Sequence, residues 1–519
     1  MIKGFLKNIK HDFNQVGIIT NLFSKQFLER EFNIFQIPKK NFAEYIDINN
    51  ISVVFIDNEI FETDHLWYKQ ERTGLLAHLK LKNIKVIFIK NTSKKIYNSF
   101  LEYHVIEMDS AEFESKSRHT MLPIIINEKK YNPAHSVKKL DALYLKPKNS
   151  VRSENLSKYH AALKPVKEEI VYEELSRKII LNLIEKIKES KWLYIYAPSS
   201  MDPIILKYIE LMAVMQNTLV IYSDTELSSK FAVINEEAVN INKMAIMKSD
   251  THYLERLLLP IQRKAFIEHS FAYYGSLSNL LGLEENHHHE VDVSVITSTN
   301  RKDNLSRYIK QLNKQRYMRL QVILVTHGFE LSEKEKEKMD KNSPNLSIEI
   351  INVSSEMPLG FCLNTAISKV TNSYVAKMDD DDFYFENYLI DSWIASKYSD
   401  ADLVGKLSSH TYFEGSNIII SKHPNTKRKY HDFVMGATFF ATEKLMKKYM
   451  FSDLPTGEDS DFLRRIAEDK AVVYADHPYN FCIYRSSNID SHTWKISDID
   501  FMRNSQIVSY DEPIKYLSF

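Results

Sequence analysis

Short apolar runs alternate with amphipathic stretches along most of the chain. In the first part "VGIIT", "SVVFID" (52–57) and "KVIFIK" (85–90) are β-branched and brief. Each is flanked by polar turn residues or by helical spacing, a pattern that predicts a parallel α/β layer. The polar stretch "YLKPKNSVRSENLSKYHAALKP" (144–165) reads as an internal linker. Beyond it the amphipathic "EELSRKIILNLIEKIKES" leads into "WLYIYA" (192–197), and a further helical stretch leads to "TLVIYS" (218–223). Two Rossmann-like α/β units are therefore expected, over residues 1–145 and 166–285.

The polar segment "EENHHHE" (284–290) marks the main boundary. Three consecutive His rarely converge on one ion, so it reads as a linker. The remainder, 291–519, opens with "VDVSVITS" and continues through a helix "NLSRYIKQLNKQ", the strand "LQVILVT" (320–326), "LSIEIINV", a helix "GFCLNTAISKVT" and "YVAKM". The run "SEKEKEKMDKN" alternates in sign and predicts a solvated helix.

Size and charge narrow the class. The chain has 519 residues, too many for one ordinary core. Lys+Arg and Asp+Glu both number 68, so no global basic excess points to nucleic acid, and no nucleic-acid partner is expected. The two cysteines, Cys362 and Cys482, make neither a disulfide framework nor a zinc site, and a reducing, cytoplasmic location follows most simply. No apolar run approaches the roughly 18–20 residues that span a bilayer. The start, "MIKGFLKNIKHDF", is too short and too interrupted for a signal peptide. It reads as an ordinary first helix, the alternative being a basic amphipathic helix lying peripherally on the inner face of a membrane.

The chemistry concentrates at "AKMDDDDFYF" (376–385), where Asp379, Asp380, Asp381 and Asp382 follow an apolar strand. Ligands of open parallel sheets bind outside the carboxyl ends of the strands. Adjacent carboxylates there need a counter-charge, and Mg²⁺ or Mn²⁺ with nucleotide phosphates supplies one. A solvated acidic turn is the alternative that the string alone leaves open.

Four motifs then occur in order: "VSVITSTNR" (293–301), "LNTAISKVTNSYVAKMDDDD" (363–382), "GEDSDFLRR" (457–465) and "RSSNIDSHTW" (485–494). Together they resemble a family 2 glycosyltransferase with the GT-A fold over residues 291–495. The resemblance implies an α/β protein whose C-terminal GT-A nucleotide-diphospho-sugar transferase domain (291–519) is preceded by one or two Rossmann-like α/β units. It implies a metal-dependent, inverting transfer from a nucleotide-diphosphate sugar, by default a UDP-sugar, to a hydroxyl of a cell-surface glycan, glycolipid or protein, with Mn²⁺ or Mg²⁺ as cofactor.

By the same resemblance Asp459 is the catalytic base and Glu458 binds the acceptor or orients the site. Asp381, Asp382 and His492 are the metal ligands. Thr297, Thr299, Asn300, Arg301, Asn364, Asp379, Asp380 and Arg485 contact the donor, and Gly436, Ala437 and Trp494 shape the sugar and acceptor pocket. Read from the residues alone, the Thr297–Arg301 stretch is equally a helix N-cap cluster, Asn364 a locally satisfied amide, and Glu458 and Asp459 first-turn acids favoured by the helix dipole. The pattern departs from the family in "VTHGFE", where Thr326 or His327 stands in place of the acid that contacts uracil. Thr326 is accordingly carried as a donor contact.

Residues 1–285 resemble, more distantly, the paired Rossmann-like halves of GT-B glycosyltransferases, without a glycine-rich phosphate loop. Two other functions compete. One is a GT-A domain that binds a nucleotide-sugar or glycan without turnover. The other is a nucleotidyltransferase, which calls for a Gly-rich loop after the first strand that "TSTNRKDN" lacks.

Overall fold

The computed structural model describes residues 15–20, 24–25, 28–29, 32–57, 67, 70–90, 104–108, 115–116, 119–122, 124–150, 154–223, 234–235, 241–270, 272, 290–454, 456–487 and 497–519. The chain divides into two compact units, Met1–His287 and His288–Phe519. The opening segment, the His triplet, His492 and Trp494 lie outside the described residues. Among the described residues no helix is long and apolar enough to cross a membrane.

Among the described residues the first unit holds two sheets. In one, strands from Gln15–Ile19 to His119–Leu122 pair in parallel, and one short antiparallel strand, Ser115–Lys116, closes the edge. "VVFID" is buried at every position, as expected of a strand covered on both faces. The other sheet is wholly parallel and runs from Lys167–Tyr172 through Leu140–Pro147, Ser190–Ile195 and Leu219–Tyr222 to Ile234–Asn235.

Here the expected linker gives way to structure. Leu140–Pro147 is paired on both sides, and Glu154–Leu163 is a helix. The segment 144–165 looks polar because, Lys146 apart, its Lys and Asn fall past the strand end. The strand itself buries Ala142, Leu143, Tyr144 and Leu145.

The second unit is a mixed α/β domain around an eight-stranded sheet. In spatial order its strands are Leu346–Val353, Met318–His327, Val291–Thr299, Tyr374–Lys377, Phe440–Thr442, Leu403–Gly405, Val473–Ala475 and Lys429–Tyr430. The first four are parallel, whereas Phe440–Thr442 runs antiparallel to both neighbours. This is the architecture implied for a nucleotide-diphospho-sugar transferase domain, and Rossmann-like sheets precede it. A five-stranded sheet adds Phe383–Tyr384, Phe481–Arg485, Ser409–Phe413, Ile418–Lys422 and Ser505–Ser509 in that order.

Periodicity explains the layering. Val293, Val295 and Ile296 are fully buried in the opening strand. The helix Leu305–Leu312 buries Leu305, Tyr308, Ile309 and Leu312, the i, i+3, i+4, i+7 stripe of a helix with one face on the core. The alternating charge run forms the helix Glu333–Asn342, which has no fully buried residue. The Glu335 carboxylate accepts from the Ser332 amide at 2.9 Å, half of a capping box that tethers the helix start.

Candidate active site

The acidic cluster begins where the Tyr374–Lys377 strand ends, in the middle of the sheet. The Met378 amide still donates to Ile296 O at 3.2 Å, and the chain then leaves the sheet. The four carboxylates have different surroundings. Asp379 and Asp381 are the open pair, with side chains 41% and 36% exposed. Asp380 points inward and accepts from Asn304 Nδ2 at 2.8 Å. Asp382 is buried, and its Oδ1 accepts from the Tyr484 amide at 3.1 Å.

Three cations gather around this quartet. Arg301 Nη1 lies 2.8 Å from Asp381 Oδ2 and 3.4 Å from Asp380 Oδ1. Arg307 Nη2 donates to the Asp381 carbonyl at 2.8 Å, and its guanidinium lies over the rings of Phe383 and Tyr484. Lys377 Nζ lies 3.0 Å from Asp379 Oδ1. Asp382 makes no ion pair among the described residues. Burial and its neighbours Asp381 and Asp379 hold its carboxyl well above the usual carboxylate range. Burial and Asp379 likewise raise Asp381. In both, burial is the larger cause and the neighbouring carboxylates add to it, against the pull of Arg301 on Asp381 and of Lys377 on Asp382.

The second part of the site comes from the helix Glu458–Glu468. Gly457 caps it at φ +82°, a conformation glycine adopts without strain. Asp459, in the first turn, reaches across to Lys377, with Oδ2 3.5 Å from Nζ. Its Oδ1 is buried without a hydrogen-bond partner. Burial pushes the Asp459 carboxyl up to about 6, against the pull of Lys377 and with the help of Asp379 and Glu458. Glu458 is itself buried beside it. Burial disfavours the Lys377 ammonium, but Asp379 and Asp459 outweigh it and hold Lys377 above its ordinary value.

The Gly436–Ala437 turn closes this wall. A Cβ on Gly436 would stand 1.6 Å from Asp459 Oδ2. Tyr384 OH accepts from the Asp379 amide and donates to Ala437 O, both at 2.8 Å, which ties the turn to the acidic loop.

The structure therefore brings together Arg301, Asp379, Asp380, Asp381, Asp382, Gly436, Ala437, Glu458 and Asp459. Other expected site residues are held by structural bonds. Thr297 is buried, its hydroxyl bonded to Tyr308 and to Met378 O at 2.8 Å. Thr299 Oγ1 accepts from the Arg301 amide at 2.9 Å, a turn that starts the following helix, and Asn300 is exposed beside it. Thr326 is fully buried and bonds Ile351 O.

Asn364 clamps the Phe451 backbone with two bonds of 2.7 Å. Arg485 is buried, ion-paired to Asp498 at 3.1 Å and stacked over Phe501. Sequence reasoning missed Lys377, Asn304, Arg307 and Tyr384. The legible signal for Lys377 was a charge inside the apolar "YVAKM"; the others gave none.

Among the described residues no three His, Cys, Asp or Glu side chains converge as a metal cage. The donor set at the quartet still suits a hard cation, because its atoms are carboxylate oxygens and the side chains of Asp379 and Asp381 are open.

No family model matches the chain, and no curated protein matches it. Solved structures with similar regions include S. aureus TarS, at 16% identity and a TM-score of 0.31 over 38% of this chain and 37% of that one. TarS 1–349 in complex with UDP-GlcNAc gives 15% identity and a TM-score of 0.33, over 41% and 63% of the two chains. The mannosyltransferase PcManGT from Pyrobaculum calidifontis, in complex with GDP-Man and Mn²⁺, gives 17% and 0.30, over 37% and 56%. The chain thus spans less than two thirds of each of these proteins, and the donors named are those proteins' own.

Proposed function

We propose that the C-terminal unit is an inverting glycosyltransferase that takes a sugar from a nucleotide-diphosphate donor, by default a UDP-sugar, to a hydroxyl of a glycan, glycolipid or protein. The observation that carries this reading is the span Asp379–Lys377–Asp459. It sets a carboxylate with an unpartnered oxygen beside an acidic loop at the carboxyl end of a parallel strand.

In this reading Asp459 takes the acceptor's proton as the acceptor oxygen bonds to the anomeric carbon. The bond from that carbon to the phosphate oxygen breaks, and the nucleoside diphosphate leaves. An ionised carboxylate with one free oxygen suits the task, and an environment that raises its basicity helps. Arg301 stands where a diphosphate would draw it, since it is already the counter-ion of the open Asp381. Asp379 has Lys377 as its cation and so is left to bind donor hydroxyls. Asp381 and Asp382 would hold Mn²⁺ or Mg²⁺, which supplies counter-charge to the leaving diphosphate.

The test is a screen of nucleotide-sugars for Mn²⁺-dependent binding and hydrolysis. Asp381→Asn is expected to weaken donor binding at least about tenfold. Asp459→Asn is expected to bind donor normally and to lose turnover by about 10²–10⁴-fold. A wild-type protein that binds no nucleotide-sugar refutes the reading.

A further inference from the structure

Lys377 stands where the strand pattern calls for an apolar side chain. Its backbone is fixed on both sides, by register with Ile296 and by donation from its amide to Phe439 O at 2.9 Å. Its side chain is 3% exposed. A buried lysine is costly unless it is paired, and a Met of similar length would fill the same volume with no such cost. Packing therefore does not explain the charge. What does is the pair of carboxylates that it touches, one from the acidic loop and one from a helix 82 residues further along.

We infer that Lys377 is a positioning residue for sugar transfer, holding Asp459 in place and ionised for its work on the acceptor. The inference rests on the transferase reading above. The wall around Asp459 leaves it one polar anchor among the described residues. Gly436 offers no side chain, and Oδ1 has no partner. The charged groups that act on Asp459 are Lys377 and Asp379 from the strand end and Glu458 from its own helix; the Gly436–Thr438 turn contributes none. Of these Lys377 alone is positive. Without it Asp459 faces two like charges, and its carboxyl keeps its proton to higher pH.

The experiment compares wild type with Lys377→Met, Lys377→Arg, Asp459→Asn and the Lys377→Met/Asp459→Asn pair. Donor affinity is read by calorimetry with Mn²⁺, and the pH profile of kcat/KM by donor hydrolysis. Lys377→Met is expected to slow turnover at least about tenfold and to move the acid limb up by about one pH unit or more. Lys377→Arg is expected to recover part of the rate with the limb near its wild-type position. The double variant is expected to be no slower than Asp459→Asn alone.

A uniform loss with an unmoved limb, or losses that multiply in the double variant, overturns the role of Lys377 while donor binding by wild type still stands. Absence of donor binding by wild type removes the transferase reading and this inference together. If Lys377→Met does not fold, Lys377→Gln takes its place on the same criteria.

Discussion

Gly436 and Asp459 touch so closely that the smallest side chain at position 436 cannot coexist with the observed carboxylate. A Cβ would fall 1.6 Å from Oδ2 and 2.1 Å from Cγ. Asp459 Cβ would also lie 2.8 Å away, so the carboxylate swings aside and the turn gives by a few tenths of an ångström as well. Gly436→Ala is expected to fold normally, to bind a nucleotide-sugar within about threefold of wild type, and to lose turnover by about 10²-fold, because a misplacement of about 1 Å at the reacting group is that costly. Calorimetry beside hydrolysis kinetics measures the split.

The pH dependence has a definite sign. Burial raises the Asp459 carboxyl to about 6. The basic form is the ionised one, so kcat/KM should climb with pH through a limb near that value and level off above it. Asp459→Asn should abolish the limb with the rate. A wild-type profile flat from about pH 5 to 8 would remove Asp459 as the base.

Thr297 gives a stability prediction separate from chemistry. Its hydroxyl is buried between Tyr308 and Met378 O. Thr297→Val keeps the shape and leaves Tyr308 OH and Met378 O only their 3.4 Å bond to each other, at a cost of about 1 kcal/mol. Denaturant unfolding should show that loss, with nucleotide-sugar affinity changed less than about threefold if the side chain is purely structural. A large fall in affinity at unchanged stability would place Thr297 at the donor.

Asn364 anchors the chain ahead of the helix that carries Asp459. Its amide makes both bonds to the Phe451 backbone, and the next residue's carbonyl, Ser452 O, lies 2.1 Å from where a Cβ on Gly360 would be. Asn364→Ala should destabilise the unit by about 2 kcal/mol. The segment from Phe451 to Gly457 should also become more open to limited proteolysis.

The strands and their kind were legible because β-branched runs buried on both faces leave a local signature, as in "VVFID" and "VDVSVITS". So was the solvated helix Glu333–Asn342, which has no fully buried residue and packs Met339 against the core. The acidic quartet could be placed at a strand end from the apolar residues before it. Composition misled at 144–165, where a polar tail hid a fully paired strand.

Tertiary structure alone decided which of four adjacent aspartates open to solvent, since one residue's shift in a loop reverses the direction of a side chain. It also decided the partners: Arg301 meets Asp381 across 80 residues, and Lys377 meets Asp459 across 82. A local pattern reports how a residue lies on its own strand or helix. The meeting of one element's end with another's first turn is set by the order of strands in the sheet, and that order depends on packing summed over the whole core.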